Sequence, residues 1–434
     1  MKITFKKEIK VGDEMNAQEI ADLILKNRGI KDTTEFFQPK PPALLQLSDF
    51  GFKAEIKKVL KMLHTIKEKD QMIVVYTDYD ADGITGGTIL WEALNLLGFK
   101  TMPYVPHRQK EGYGFSIKGI DAVKKEFDPA LVISVDHGIT AVEQVKYAKK
   151  IGIPIIITDH HLKGTTEPDA EAIFHIPALS GAGVAYFFAK QLFDEFGEDS
   201  KHKTILNDHF HTDYVALAAI GGVADLVPLI GPTRSIVKYG LAACSRSKRV
   251  GICQILKEAK IEGKTITPYE VGFIIAPRIN AIGRLEHAMD ALRLLCTPSS
   301  EKARELAGKI GALNVDRQDL VKKAVQEAKK MVENMKTVPN IIVLTSDEWH
   351  EGIIGLIASK ITELYYRPTI VMTKNDGFYK GSARSIPALH ITNFLKELIE
   401  HLVSVGGHAQ AGGFSLEAKN LAAFKKDIEK RGKK

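Results

Sequence analysis

Four short stretches concentrate the side chains that hold divalent cations. TDYDADGITGG (77–87) offers Asp78, Asp80 and Asp82 ahead of a glycine-rich turn, and SVDHGIT (134–140) offers Asp136. TDHHLK (158–163) offers Asp159 beside His160 and His161, and AAIGGVADLVPL (218–229) offers Asp225. A lone aspartate after a strand is usually a helix cap or a turn former. Several brought to one place repel each other and raise each other's pKa unless a cation neutralises them. Carboxylates with one or two imidazoles and no thiolate suit Mn²⁺ or Mg²⁺ better than structural zinc. The three cysteines, Cys244, Cys253 and Cys296, are odd in number and lack a C-x-x-C spacing, so neither a disulfide framework nor a zinc ribbon is expected. Four to six such ligands are enough for two ions. Two ions roughly 3.5–4 Å apart clamp an in-line phosphoryl displacement and generate hydroxide near neutral pH.

The elements that must position these residues are legible around them. MIVVYTD (72–78), LVISVD (131–136) and IPIIITD (153–159) are short, β-branched and nearly continuous in apolar character, as buried parallel strands are. Each ends in aspartate, and in an open parallel sheet the ligand site lies beyond the carboxyl ends of the strands. Helical segments at 85–98 and 140–152 alternate with them, which predicts a doubly wound α/β domain. A helical lead-in at 15–40 precedes it, and a small-residue helix precedes Asp225. The stretch 301–335 has few glycines and no proline, with apolar residues at three- and four-residue spacing, and reads as a helical connector with a solvated charged face. A second α/β unit follows, with strands near 340–346 and 368–373 and helices at 353–366 and near 389–403. The expected organisation is an N-terminal domain over 1–300, a connector over 301–337 and a smaller domain over 338–434. A length of 434 residues agrees with two domains.

In chain order, DYDADG, VDHG, TDHH and GGVADLVPL resemble the four motifs of the DHH phosphoesterases, with Asp-His-His itself at 159–161. PHRQKEGYGFS (106–116), GFIIAPRINAIGRL (272–285), EWHEGIIGLIASKI (348–361), KGSARSI (380–386) and GGHAQAGGFSL (406–416) are similar to RecJ proteins, the last three falling in the DHH-associated domain. The resemblance runs from about residue 25 to 420. It implies a 5′–3′ exonuclease specific for single-stranded DNA that uses two Mn²⁺ or Mg²⁺ ions and releases 5′ mononucleotides. The ions would be held by Asp78, Asp80, Asp82, Asp136, Asp159, His160 and Asp225. Which two of Asp78, Asp80 and Asp82 touch metal stays open. Many DHH enzymes place a histidine four residues before the first aspartate, where this chain has Val74. His161 and His408 would assist through the phosphate oxygens or the leaving group, with Asp159 beside them in the catalytic set.

Arginine is the permanently charged, forked donor suited to phosphate, and glycine pairs let backbone amides approach an anion. By resemblance, Arg108, Arg278, Ser382 and Arg384 hold the 5′ phosphate and nearby backbone, and Tyr113, Asn280, Arg284, Gly406, Gly407 and His408 complete the substrate contacts. Trp349 either stacks a base or packs on the following helix, and Tyr113 and Phe115 form either a stacking loop or a turn.

A hydrophobic fraction of 44% and a charged fraction of 26% are those of a globular chain. No apolar run approaches the roughly 20 residues a bilayer crossing needs, and the charged N-terminus MKITFKKEIK is not a signal peptide. A cytoplasmic protein with no membrane partner is expected. The net charge of +7 permits a polyanionic partner without demanding one. Single-stranded DNA is the expected partner, with single-strand-binding protein or a helicase beside it, and the working form is expected to be a monomer. Two readings compete: a DHH phosphodiesterase for short oligonucleotides or cyclic dinucleotides, and a catalytically silent replication scaffold. Bacterial RecJ proteins usually continue into an OB-fold, whereas this sequence stops at KKDIEKRGKK (425–434), so either a minimal form or the core of a longer one is expected.

Overall fold

The three apolar runs form the middle of a parallel sheet. In a computed structural model, which describes residues 16–432, β1 (Ile73–Thr77), β2 (Thr101–Tyr104), β3 (Leu131–Val135), β4 (Ile155–Asp159) and β5 (Ala172–His175) pair in the order β2-β1-β3-β4-β5. All four pairings are parallel. β1, β3 and β4 are buried at every position, which is why their sequences show no polar alternation. Thr77 pairs with Val135 and Val135 with Thr158, so Asp78, Asp136 and Asp159 leave the same edge side by side.

The helices Ile117–Phe127 and Val142–Lys150 cover one face, where Ile120, Val123, Val145 and Ala148 pack on Val74, Tyr76, Val132 and Ile155. The helices Ala81–Leu96 and Gly181–Phe196 cover the other. Close approach there depends on absent side chains: a Cβ on Gly86 would come within 2.8 Å of Val135, and one on Gly87 within 2.8 Å of Thr77.

From Gly181 to Glu333 the chain is helical throughout apart from its turns, far beyond the two segments expected. The helix Asp213–Ala224 shows why: Asp213 through Val223 are all buried, so it carries no polar face and no amphipathic period to read.

The chain divides into two compact units, one up to Gly311 and one from Ala312. This division falls inside the 34-residue helix Ser300–Glu333, within the expected connector. The expected connector is therefore not a bare linker. Its first part pairs Lys309 with Glu286 and Asp290 in the first unit. Its last part puts Ala324, Ala328 and Val332 into a core of the second unit with Ile342, Leu344 and Ile357.

The second unit carries β6 (Ile342–Thr345), β7 (Thr369–Asn375), β8 (Phe378–Arg384), β9 (Ser404–Gly407) and β10 (Ala411–Glu417), ordered β6-β7-β8-β10-β9. Only β6 and β7 run parallel. The sheet has a core on each face: Val371 packs with the helix Ile354–Tyr365, while Ile370 and Met372 pack with Phe394, Phe424 and Ile428. The helix expected near 389–403 is shorter, Ile391–Lys396, followed by a separate 3-10 turn at Ile399–His401. No helix among the described residues is long and apolar enough to cross a membrane.

Candidate metal centre

The turn after β1 is built by its own aspartates. Asp80 caps the helix Ala81–Leu96, its Oδ1 accepting the N–H groups of Asp82 and Gly83, both at 3.0 Å. Asn280 accepts the N–H of Ala81 at 2.7 Å, pinning the turn from the helix Ala276–Leu285. Asp82 faces the opposite helix: its two oxygens accept the N–H groups of Gly181 at 2.7 Å and Ala182 at 3.0 Å. A carboxylate at a helix N-terminus is favoured by the dipole and by those unpaired amides.

The other two strand ends differ from each other. Asp136 takes φ +69°, the left-handed region that non-glycine residues seldom occupy. Asp159 spends both oxygens internally. Its Oδ1 accepts the N–H groups of His160 (2.7 Å) and His161 (3.1 Å) and faces His161 Nδ1 at 2.8 Å, while Oδ2 accepts the N–H of Ile139 at 2.9 Å. Burial alone would raise the Asp159 pKa, but the hydrogen bonds and charge of His161 and the backbone amides hold it well below the usual carboxylate range. In turn, burial would lower the His161 pKa, and Asp159 overcomes this to push it up to about 9.

Among the described residues, three of the four sets of donor atoms that converge within 4.8 Å lie here: Asp78, Asp80 and Asp136; Asp136, His160 and His161; and Asp82, His160 and Asp225. Asp136 joins the first two sets and His160 the last two. His160 Nε2 lies 3.1 Å from Asp136, 3.6 Å from Asp225 and 3.8 Å from Asp82. All three aspartates of the DYDADG triplet therefore reach the cluster. Asp159, expected to be a ligand, belongs to none of these sets and instead positions His161.

Left without cations, the cluster resists its own charge. Burial, reinforced by neighbouring carboxylates, drives Asp78 and Asp136 well above the ordinary range. The same causes push Asp82 up to about 6 and Asp225 to about 8. Asp78 Oδ1 is buried and accepts no hydrogen bond, and buried Asp136 Oδ1 faces only the His160 ring nitrogen at 3.1 Å and the His161 ring nitrogen at 3.9 Å. Buried anionic oxygens without donors are costly unless a cation meets them. With two imidazoles and no thiolate in reach, this donor set fits a pair of Mn²⁺ or Mg²⁺ ions.

Glycines that sequence reading passed over keep the cluster tight. A Cβ on Gly181 would lie 2.3 Å from the Asp136 side chain, and one on Gly221 would lie 2.2 Å from Asp82 Oδ1. Their only signal was the small-residue composition of SGAG (180–183) and AAIGG (218–222). His137 was also missed. Burial lowers its pKa to about 4, and its neutral ring packs on Tyr76 and Phe115, with Nε2 at 3.0 Å from the Tyr76 carbonyl.

The expected substrate residues divide by location. In the first unit, the Tyr113 hydroxyl donates to the Asp136 carbonyl at 3.2 Å and lies 3.0 Å from His161 Nε2, with its ring half exposed. Arg108 lies over the Tyr79 ring at 5.0 Å, and its charge pulls on Asp78. Arg284 acts electrostatically on Tyr79 from the last turn of its helix. Arg278 is already engaged, its Nε donating to Glu258 at 2.6 Å and its NH1 to the Ile274 carbonyl at 2.9 Å. Phe115 is core, packed on Tyr76 and His137.

In the second unit, Arg384 donates to Ser382 Oγ at 3.1 Å, and both lie against Gly355 in the first turn of the helix Ile354–Tyr365. Gly406 and Gly407 pair with Gly413 and Gly412. Gly407 needs to be glycine for a local reason: its φ is +133°, and a Cβ there would meet the Ala411 carbonyl at 2.2 Å. His408 begins the exposed turn between β9 and β10. Trp349 is buried in the core, its Nε1 donating to Glu327 at 3.0 Å, so it packs rather than presenting its ring to a base.

Residues 72–221 match the model of the DHH family, N-terminal domain, and residues 338–434 match that of the DHHA1 domain. The chain is 36% identical over 388 residues to the single-stranded-DNA-specific exonuclease RecJ of Bacillus subtilis, covering 86% of this chain and 48% of that protein. It thus spans about half the length of that relative. It is 32% identical over 444 residues to the single-stranded-DNA-specific exonuclease RecJ of Haemophilus influenzae, covering 98% of this chain and 76% of that one. The crystal structure of RecJ in complex with Mn²⁺ from Thermus thermophilus superposes with a TM-score of 0.78 at 31% identity, over 94% of this chain and 58% of that chain. The motif order, the fold of both units and identity sustained across nearly the whole sequence converge, and the chain belongs to the RecJ family of DHH phosphoesterases.

Proposed function

We propose that the chain hydrolyses phosphodiester bonds of single-stranded DNA from the 5′ end and releases 5′ mononucleotides. The carrying observation is that buried Asp136 completes the donor set of Asp78 and Asp80 and lies 3.1 Å from His160, which completes the set of Asp82 and Asp225, so one aspartate adjoins two cation positions. The ligands in this reading are Asp78, Asp80, Asp82, Asp136, His160 and Asp225. Bound there, two Mn²⁺ or Mg²⁺ ions supply a nucleophilic hydroxide near neutral pH and neutralise charge on the phosphoryl oxygens.

The chain's own groups do the rest. Asp159 keeps a proton on His161 and fixes its ring, so in this reading the Nε2–H exchanges its Tyr113 contact for the substrate phosphate and assists departure of the leaving oxygen. Tyr113 holds the other side of that imidazole. Arg108, Arg278 and Arg284 on the first unit, and Ser382, Arg384, Gly406, Gly407 and His408 on the second, bind the strand and its 5′ phosphate in this reading. Arg278 would have to exchange its Glu258 contact for phosphate. The same reading makes single-strand-binding protein or a helicase the protein partner, a monomer the working form and the cytoplasm the compartment.

Single-stranded 20-mers labelled at either end, digested with and without Mn²⁺, test it. The 5′ label is expected to leave first, as a mononucleotide and only with metal. Earlier release of the 3′ label, or metal-independent digestion, sinks the reading.

A further inference from the structure

Tyr269 and Phe273 stack on each other on the surface of the first unit, with centroids 4.9 Å apart and planes at 28°. Both are exposed, at 62% and 70%. They lie where the turn Pro268–Glu270 passes into a π-helical turn, Val271–Ile275, which leads directly into the helix Ala276–Leu285. π-turns are rare and cluster at functional positions.

At about 100° per residue, Tyr269, Phe273, Asn280 and Arg284 fall on one helical face, and the slower rotation through the π-turn keeps them within one stripe. The far end of that stripe is the metal centre's own scaffold. Asn280 accepts the Ala81 N–H, and the charge of Arg284 bears on Tyr79. Eleven residues of helix separate Tyr269 from Asn280, about 16 Å, which is the length of roughly five stacked nucleotides. Next to them in sequence, Lys264 and Thr267 are exposed and Glu270 is half-buried, so the exposed apolar surface in this stretch is mainly the two rings. That is far smaller than the patches that bind proteins, and it matches the face of a nucleobase.

We propose that the Tyr269–Phe273 pair is a stacking platform for an unpaired base of single-stranded DNA, several nucleotides from the bond being cut. The proposal rests on the DNA reading above and adds a subsite to it. Stacking of this kind tolerates any base and contributes roughly 5- to 150-fold in affinity per base.

The test measures binding of the full chain to a fluorescent 20-mer and to a trinucleotide, with Ca²⁺ replacing Mn²⁺ to stall cleavage. Tyr269→Leu with Phe273→Leu keeps apolar bulk and removes the rings. It is expected to weaken 20-mer binding by at least fivefold and to abolish the advantage of the 20-mer over the trinucleotide, whereas Phe273→Trp retains both. An unchanged 20-mer affinity, an equal loss on the trinucleotide, or a change only in self-association by light scattering overturns the platform. Wild type that binds the 20-mer in Ca²⁺ but releases neither end label once Mn²⁺ is supplied sinks the exonuclease reading while this comparison still decides the platform. Wild type that binds no single-stranded DNA overturns both.

Discussion

Asp136 is buried, stands in the left-handed region of backbone space and has carboxylates and imidazoles on either side. Its position was readable because an apolar strand delivers it to the carboxyl edge of a sheet. The division of labour around it was not readable. Asp159 has the same sequence context, yet hydrogen-bond geometry makes it a positioning group. Asn280 and Gly221 act through backbone contacts that no residue pattern announces. The electrostatics give a signed expectation. Asp82 and Asp225 have folded pKa values raised to about 6 and about 8, so over pH 4–8 the native state holds more protons than the unfolded chain. The metal-free protein should therefore lose stability from these groups as pH rises through that window. His161, raised to about 9, adds stability below its unfolded pKa that is lost as pH rises through 9. Because ligation requires the deprotonated forms, the rise in Tm produced by Mn²⁺ should be larger at pH 8.5 than at pH 6, measured by differential scanning fluorimetry. A larger rise at pH 6 would contradict the proposed ligand set. Arg384→Ala should reduce the preference for a 5′-phosphorylated over a 5′-hydroxyl strand by about tenfold, the loss of one charge-assisted contact. An unchanged ratio of initial rates would remove Arg384 from the 5′-phosphate site.

The central strands were legible because three buried runs of β-branched residues leave little alternative, whereas β2 and β5 were not. TMPY and AIFH are four-residue edge strands, partly exposed, and the first contains proline. The β8, β9 and β10 strands were missed for a related reason: FYKGSAR, SVGG and AGGFSLE are interrupted by glycines, which weaken strand preference, and they depend on pairing with one another. Among the helices, Asp213–Ala224 offers a controlled comparison. A Cβ on Gly221 would meet Asp82 Oδ1 at 2.2 Å and Ala182 at 2.7 Å, whereas one on its neighbour Gly222 would find nothing nearer than 3.6 Å. Gly221→Ala should cost about 1–3 kcal/mol by overpacking and most of the nuclease activity, since Asp82 must move. Gly222→Ala should be neutral or stabilise by up to about 1 kcal/mol through helix propensity. Urea denaturation and single-turnover cleavage read both outcomes. Equal effects of the two substitutions would mean that Asp82 is not held at the contact described.

At the scale of the molecule, two units each own a sheet and a core, and one 34-residue helix contributes to both. Every proposed metal ligand lies in the first unit. Hydrogen exchange should therefore show Mn²⁺ raising protection around β1, β3, β4 and the helix Asp213–Ala224 while leaving β6 and β7 unchanged. Equal protection across both units would count against a centre confined to the first. If Asp136 is shared by two ions, isothermal titration of Mn²⁺ into the metal-free chain shows it as stoichiometry, without any substrate. Two Mn²⁺ per wild-type chain are expected, falling to one or none in Asp136→Asn with the fold retained by circular dichroism. A single site in the wild type, or two sites undiminished in Asp136→Asn, would contradict it.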